Sequence, residues 1–423
     1  MLVLQHIRIK LKAKANLQKI SIFKRDFLAI FVVVANTFVW YTLIYIFMSD
    51  IINSLDVTSI EALEISAFFY VGIAFSAILN PIIARRFIRG FFLLSWIVLG
   101  TCASATLFIF EIYMPISAFL ISLFLGFSIG IGLPSSLAYF ADNTNVENRG
   151  KLGGIIWAAA GIVTLLISLL FYFFNINILT GILILVVLRI SGVLFFFLKP
   201  KQETFKLERN PSYSSILNDR HVLLYLIPWI MFCLINWIES PIVAEKFGQE
   251  FFRFITFAEF TISGIFAFLG GLFSDLVGRK RIIIIGFIML GVEYAVLSFS
   301  EVLTLSQYIY IFFDGISWGM FAVVFFIVLW GDLARDGLKE KYYVVGGLPY
   351  LLASFLEVLI RQNVKSIPVN TTFSLASFFL FLAVLPLIYA PETLPEKKIQ
   401  ERQIREYVEK AKKIAEKETK RKR

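Results

Sequence analysis

Gly270-Gly271-Leu272-Phe273-Ser274-Asp275-Leu276-Val277-Gly278-Arg279-Lys280-Arg281 is a polar break between two apolar runs, each long enough for a membrane-crossing helix. One run, from 253 to 273, enters it, and another, from 282 to 300, leaves it. Hydrocarbon offers no partners for free backbone groups, so a break this short between two spans is a tight hairpin at one membrane surface. Its composition suits that place. Glycines let two helix ends approach closely. Asp275 can accept hydrogen bonds from the free N–H groups of a helix start, and Arg279, Lys280 and Arg281 fall at the depth of phosphate headgroups.

The whole chain has the same character. Its 423 residues are 58% hydrophobic and only 17% charged, with a mean hydropathy of +0.80. Soluble domains are roughly 45–50% apolar, so this is an integral membrane protein. Cys102 and Cys233 lie in separate apolar runs, and His6 and His221 are the only histidines, so neither a disulfide framework nor a metal site is indicated and no cofactor is expected. A net charge of +10 raises nucleic acid as a partner, but the charge is dispersed among short loops and the two ends, which excludes it.

Runs of spanning length occur near 26–49, 60–84, 91–112, 115–140, 151–174 and 178–198, and again near 221–240, 253–273, 282–300, 303–331, 342–360 and 371–390. The expected fold is an all-α membrane protein with twelve transmembrane helices in two pseudo-symmetric six-helix bundles, 26–198 and 221–390. A basic leader (1–25), a central loop (199–220) and a charged tail (391–423) complete the chain. The leader places Leu4, Ile7 and Leu11 on one helical face, and the tail does so with Ile399, Ile404 and Ile414. Each either lies on anionic lipid or is simply solvated. No cleavage site follows a short apolar stretch, so a signal peptide is not expected.

Lys and Arg prefer the cytoplasmic side of short loops. With both termini cytoplasmic, all but five of the 40 Lys and Arg fall inside; the exceptions are Lys246, Arg253, Arg361 and Lys365 outside and Arg189 within a span. One missed or invented span would invert every later loop and destroy that bias. The halves also repeat. A shift of 191 residues lays Ala84–Arg89 on Asp275–Lys280, and shifts of 190 to 192 lay Asp142 on Asp332, Arg149 on Lys341 and Gly154 on Gly346.

The opening hairpin resembles the Gly-x-x-x-Asp-x-x-Gly-Arg-Lys/Arg signature of the major facilitator superfamily, found after the second and eighth spans. Asp142 to Gly150, with Glu147 and Arg149, is similar to the acidic-x-Arg-Gly loop after the fourth span, and Pro391-Glu392-Thr393 to the ending of sugar-porter-like members. The resemblance covers 26–394 and implies a secondary transporter with a cytoplasmic gate at Asp275, Gly278, Arg279, Lys280, Asp142, Glu147 and Arg149. The chain departs from typical sugar porters in lacking their Gln-Gln pair between Tyr225 and Ser240. It departs from drug antiporters in lacking their Gly-Pro element between Gly153 and Thr164.

Polar groups inside spans cost a few kcal/mol each, so they mark functional candidates. Tyr310, Asp314 and Trp318 share a helical face with Gln307; Trp229 and Asn236 share one with Tyr225, Cys233 and Ser240. Asn36, Trp40 and Ser136 add polar positions on the first and fourth spans. In the superfamily the first, fourth, seventh and tenth spans line the cavity, which the resemblance therefore assigns to these residues; helix packing explains the aromatics equally well. Spans of the second half carry Glu259, Glu293, Asp314 and Glu357, and a carboxyl deprived of water takes up protons more readily. Asp314 is the leading candidate for proton coupling and Glu259 the second; Glu293, on an outer span, ranks lower, and Glu357 pairs most simply with Arg361.

These residues point to transport of a small polar or anionic organic solute, of sugar or organic acid type, across the cell membrane by a proton symporter acting as a monomer. The alternatives are a proton antiporter and a receptor that binds without transport. No catalytic set and no nucleotide-binding loop is present, so neither an enzyme nor ATP drive is expected.

Overall fold

A computed structural model describes residues 25–48, 52, 58–110, 115–174, 176–198, 210–300, 305–334, 338–361, 364 and 367–394. The leader face, most of the central loop, the tail face and the Arg361 side chain lie outside the described residues. Helices α1 (Arg25–Met48) and α2 (Ser59–Ala84) open the chain. They are followed by α3 (Arg89–Ala105, continued by Leu107–Phe110), α4 (Pro115–Gly130, continued by Leu133–Asp142), α5 (Arg149–Phe174) and α6 (Ile178–Ser191, continued by Leu194–Phe197). A short helix, Tyr213–Leu217, precedes α7 (Arg220–Phe247), α8 (Gln249–Val277) and α9 (Arg279–Leu297). Then come α10 (Ser306–Phe321, continued by a π-helical Ala322–Val328 and Leu329–Leu333), α11 (Lys339–Arg361) and α12 (Val369–Leu382, continued by Val384–Tyr389).

Ten of these helices are long and apolar enough to cross a membrane. The other two, α3 and α9, begin on the basic turns Arg89 and Arg279-Lys280-Arg281, whose charges belong at a surface. Among the described residues the protein is an all-α multi-pass membrane protein with twelve helices at the expected spans, and the boundaries lie close to those expected. The main exception is α7, which runs through Pro241 to Phe247 instead of ending near 240.

The two halves pack alike. Helices α2 and α4 pair in the first half as α8 and α10 do in the second, and α3 with α6 matches α9 with α12. Between the halves, α5 meets α8 and α2 meets α11. The α5–α8 approach depends on the absence of side chains. A Cβ on Gly154 would sit 2.5 Å from the Ala267 carbonyl oxygen, and one on Gly271 would strike the Gly150 backbone. At the opening hairpin Gly278 adopts φ +108°, a backbone that glycine holds without strain, and turns α8 directly into α9.

Candidate functional site

The basic turns converge at one end of the molecule. A uniform shift of 190 residues superimposes two charge triads there: Asp142 with Arg89 and Lys339, and Asp332 with Arg279 and Arg149. Each aspartate pairs with a cation of its own half and with one from the other half. Asp332, Arg279 and Arg149 are almost wholly buried, and Arg279 Nε lies 3.3 Å from Asp332. Arg89 also crosses between halves, donating to Glu340 at 2.8 Å.

Asp275 caps a helix, but one from the opposite half. Its two carboxylate oxygens accept the Gly150 N–H at 2.9 Å and the Lys151 N–H at 2.7 Å, at the start of α5, while Arg279 Nη1 approaches to 2.8 Å. Glu392 serves α9 in the same way, accepting from the Arg279 N–H at 2.9 Å and the Lys280 N–H at 3.2 Å. Gly278, Arg279 and Lys280 all belong to this end, and Glu147 lies half-buried on the adjoining loop. Sequence reasoning overlooked Arg89, Asp332, Glu340 and Glu392. The repeat already matched Asp142 with Asp332, so that signal was available.

Replacing Asp275 with Ala frees two N–H groups of α5 but leaves Arg279 bound to Asp332. Charged hydrogen bonds of this kind contribute about 1–3 kcal/mol, so Asp275→Ala is expected to shift a two-state equilibrium toward opening of this end by about 5- to 150-fold. Cysteine accessibility at the basic end checks this; unchanged accessibility makes the cap a packing feature only.

Between the halves lies a cavity of about 440 Å³. Asn236, Tyr310, Asp314 and Trp318 of the expected cavity set line it, together with Glu259, Glu239, Trp237, Tyr45, Tyr350 and Glu357. Its walls come from α1, α4, α7 and α10, and also from α5, α8 and α11. The π-helical stretch of α10 contributes Phe325 and Phe326. Trp318 Nε1 donates to Asn236 at 3.1 Å, and Tyr45 donates to Glu357, joining α1 to α11.

Four expected cavity residues lie elsewhere. Asn36 and Trp40 face the interior of their own bundle, where they hold Arg189. Its guanidinium lies 3.9 Å from the Trp40 ring and 4.3 Å from Trp96, and it donates to Asn36 at 2.9 Å. That explains a fully buried arginine without a described carboxylate partner: two aromatic faces and an amide take the place of a counter-ion. Ser136 turns its hydroxyl back to Leu133. Trp229 is buried, donating to the Gly346 carbonyl at 2.7 Å and stacking on Phe325.

Four carboxyls gather in the second half. Asp314 has Glu259 of α8 and Glu293 of α9 as close neighbours, and Tyr310 and Tyr294 stand beside Glu239. Asp314 and Glu239 are buried at the cavity wall, and Glu293 lies fully buried behind it. Both Glu293 oxygens and one each of Glu239 and Glu259 have no donor among the described residues. Carboxyls gathered this closely away from water repel one another when charged, so the cluster is suited to holding protons. Glu293, ranked low because α9 is an outer helix, is here because it points inward at Asp314. Glu239 was missed because it falls at the expected end of the seventh run, near 240, although it lies one turn beyond Asn236 on the same stripe. No group of three or more His, Cys, Asp or Glu is disposed to hold a metal ion among the described residues.

The fold is similar to that of solved major facilitator superfamily transporters. Over 88% of this chain and 97% of the other, it resembles the major facilitator proton:xylose symporter XylE, solved with 6-bromo-6-deoxy-D-glucose, at a TM-score of 0.66 and 15% identity. It also resembles the human organic anion transporter MFSD10 (TETRAN), over 86% of this chain and 99% of that one, at a TM-score of 0.62 and 16% identity. No protein-family model matches the chain, and no curated protein sequence does.

Proposed function

We propose that the protein is a secondary transporter, not an enzyme, that moves a small organic solute by alternating access and couples it to protons. The observation that carries this is the cavity between two similar bundles, with titratable carboxyls in its wall. In such a fold the bundles rock about a central site. The cross-half bonds of Arg149, Asp275, Arg89 and Lys339 hold the basic end shut in one state and must break in the other. Asp314 and Glu259 are the proposed coupling groups, with Glu239 and Glu293 able to exchange protons with them. The basic end is taken as cytoplasmic, in the cell membrane, with the protein acting as a monomer.

The two structural neighbours are named for different solutes, so the fold does not choose between them. The lining does favour one side. Among the described residues it carries Glu239, Glu259, Asp314 and Glu357 and no Lys, Arg or His, an environment that disfavours an organic acid. An uncharged or cationic solute fits better, and the antiport alternative gains ground over symport.

Counterflow of labelled sugars, organic acids, amino acids and amines in proteoliposomes, with and without a pH gradient, tests the transport reading. Movement of none of them overturns it. Cysteines at positions 246 and 365, in a background lacking Cys102 and Cys233, are expected to react with an impermeant maleimide from outside, and one at position 206 only from inside. Labelling of position 206 from outside overturns the orientation.

A further inference from the structure

We propose that the solute is an organic cation, held between the carboxyls of Glu239, Glu259 and Asp314 and an aromatic box, and exchanged for protons carried by the same carboxyls. The inference rests on the transporter reading above and names the substrate class of its cavity.

Three features point to a cation independently. Electrostatically, the lining has four carboxyls and no basic residue among the described residues. Glu239, only 6% exposed, lies in the wall with its Oε1 unmatched by any donor among the described residues, and Glu259 Oε1 is likewise unmatched. A positive group in the cavity is what such oxygens lack.

In shape, the remaining wall is aromatic. Trp237 lies 5.5 Å from Tyr45 and 5.3 Å from Tyr350, ring centre to ring centre. Tyr350 lies 5.8 Å from Trp318 and 4.8 Å from Phe326, which stacks at 5.5 Å on Trp157. Ring faces attract cations, and a cage of several rings suits alkylammonium groups, which cannot use all their surface in hydrogen bonds. Sugar sites need many directional donors and acceptors. Here the polar side chains that are neither carboxyls nor phenols are Thr42, Thr164, Asn236, Ser240, Thr256 and Ser263, of which Asn236 already accepts from Trp318, with the indole N–H groups of Trp237 and Trp330 unmatched among the described residues.

In chemistry, the groups facing Asp314 are Glu259 from α8, Glu239 from α7, Glu293 and Tyr294 from α9 and Tyr310 from α10 itself. Glu357 and Tyr45 close the cavity from α11 and α1, and α5 adds only uncharged residues, Trp157, Ala160, Gly161 and Thr164. None of these groups is a permanent cation. A positive solute and protons are then alternative counter-charges for the same oxygens, so loading one unloads the other. Each monovalent cation bound displaces one proton to solvent, and return of the proton releases the cation. That is the logic of antiport.

The test is calorimetry on the purified, folded full-length protein with tetraethylammonium, phenyltrimethylammonium and benzyltriethylammonium, against the anion benzenesulfonate. At least one cation is expected to bind at mildly alkaline pH and to release a proton, read from the dependence of the heat on the buffer. Its affinity should fall about tenfold per pH unit once the competing proton binds. Benzenesulfonate should not bind, and Glu259→Gln and Asp314→Asn should each weaken the cation. The comparison of cation with anion needs no variant, so it stands even where either variant misfolds. Absence of binding by all three cations overturns the proposal, as does binding indifferent to pH. Flux in proteoliposomes separates the two levels. Cations that bind and release protons but never cross leave this inference standing and remove the transporter reading; sugars or acids that cross while no cation binds do the reverse.

Discussion

Asp332→Ala is expected to force the basic end open. In the structure this carboxylate sits between Arg149 and Arg279, with both cations and the acid almost entirely out of water. Removing one member of a buried ion cluster leaves uncompensated charge, which costs about 3–5 kcal/mol, or roughly two to three and a half orders of magnitude in an equilibrium. Opening lets both guanidiniums reach water, so the cost falls on the closed state alone. Spin labels at Asn145 and Arg281, which are exposed and lie on opposite halves at this end, should report a longer distance in the variant. The effect exceeds that of Asp275→Ala, because Asp275 binds two backbone N–H groups and one cation that has other partners, whereas Asp332 serves two buried cations. Arg279 keeps its pair with Asp275, so Arg149 is the guanidinium that loses its described carboxylate; removing Arg149 as well takes that charge away, and Asp332→Ala/Arg149→Ala should open less than Asp332→Ala alone. Equal distances in all three proteins would show that the cluster does not set the conformation.

The spans were legible because the bilayer demands long apolar runs, and the hairpin because few other places need Gly, Asp and three cations so close together. The Asp275 cap was legible in kind, as a carboxylate with helix N–H groups to satisfy, but not in partner. Its helix is α5, 124 to 125 positions away in sequence and in the other half. The same distance hid Asp332, whose pairing with Arg149 spans 183 positions. Only the repeat carries that information, and it becomes exact at a uniform shift of 190, which aligns Arg89, Asp142 and Arg149 with Arg279, Asp332 and Lys339.

The cavity was legible on one side. The tenth-span stripe faces it at Tyr310, Asp314 and Trp318, because a helical face bearing a carboxylate has nowhere else to go in hydrocarbon. Asn36 and Trp40 form an equally good stripe on α1, but α1 has two interior surfaces, and theirs is turned to Arg189 on α6. Periodicity shows that a face is not toward lipid. It does not show which neighbour the face meets. Glu239 and Glu293 were lost through a helix boundary and a rank order, and only the packing of α7, α8, α9 and α10 reveals that the four acids share one place.

Asp314→Asn is expected to abolish solute movement driven by a pH gradient while leaving solute exchange measurable, at a higher solute concentration to offset weaker binding. Asp314 occupies the junction of the cluster: it lines the cavity, is only 3% exposed, and has Glu259 at the wall and Glu293 behind it as neighbours. An asparagine keeps the volume and can still donate to either neighbour, so packing and the cavity persist. It cannot take up or release a proton. If transport returns protons through this group, the loaded carrier still crosses in both directions, and exchange of labelled for unlabelled solute continues. The empty carrier loses its proton-linked return, and uphill movement falls to the level of protein-free liposomes. Glu293→Gln discriminates further, since it leaves the cavity wall untouched. If Glu293 supplies protons to Asp314 it should slow gradient-driven movement with little change in solute affinity, whereas a packing role would alter unfolding temperature and affinity together. Asp314→Asn protein that still concentrates solute on an imposed pH gradient as well as wild type would remove Asp314 from the coupling path and leave Glu259 to be tested in the same way.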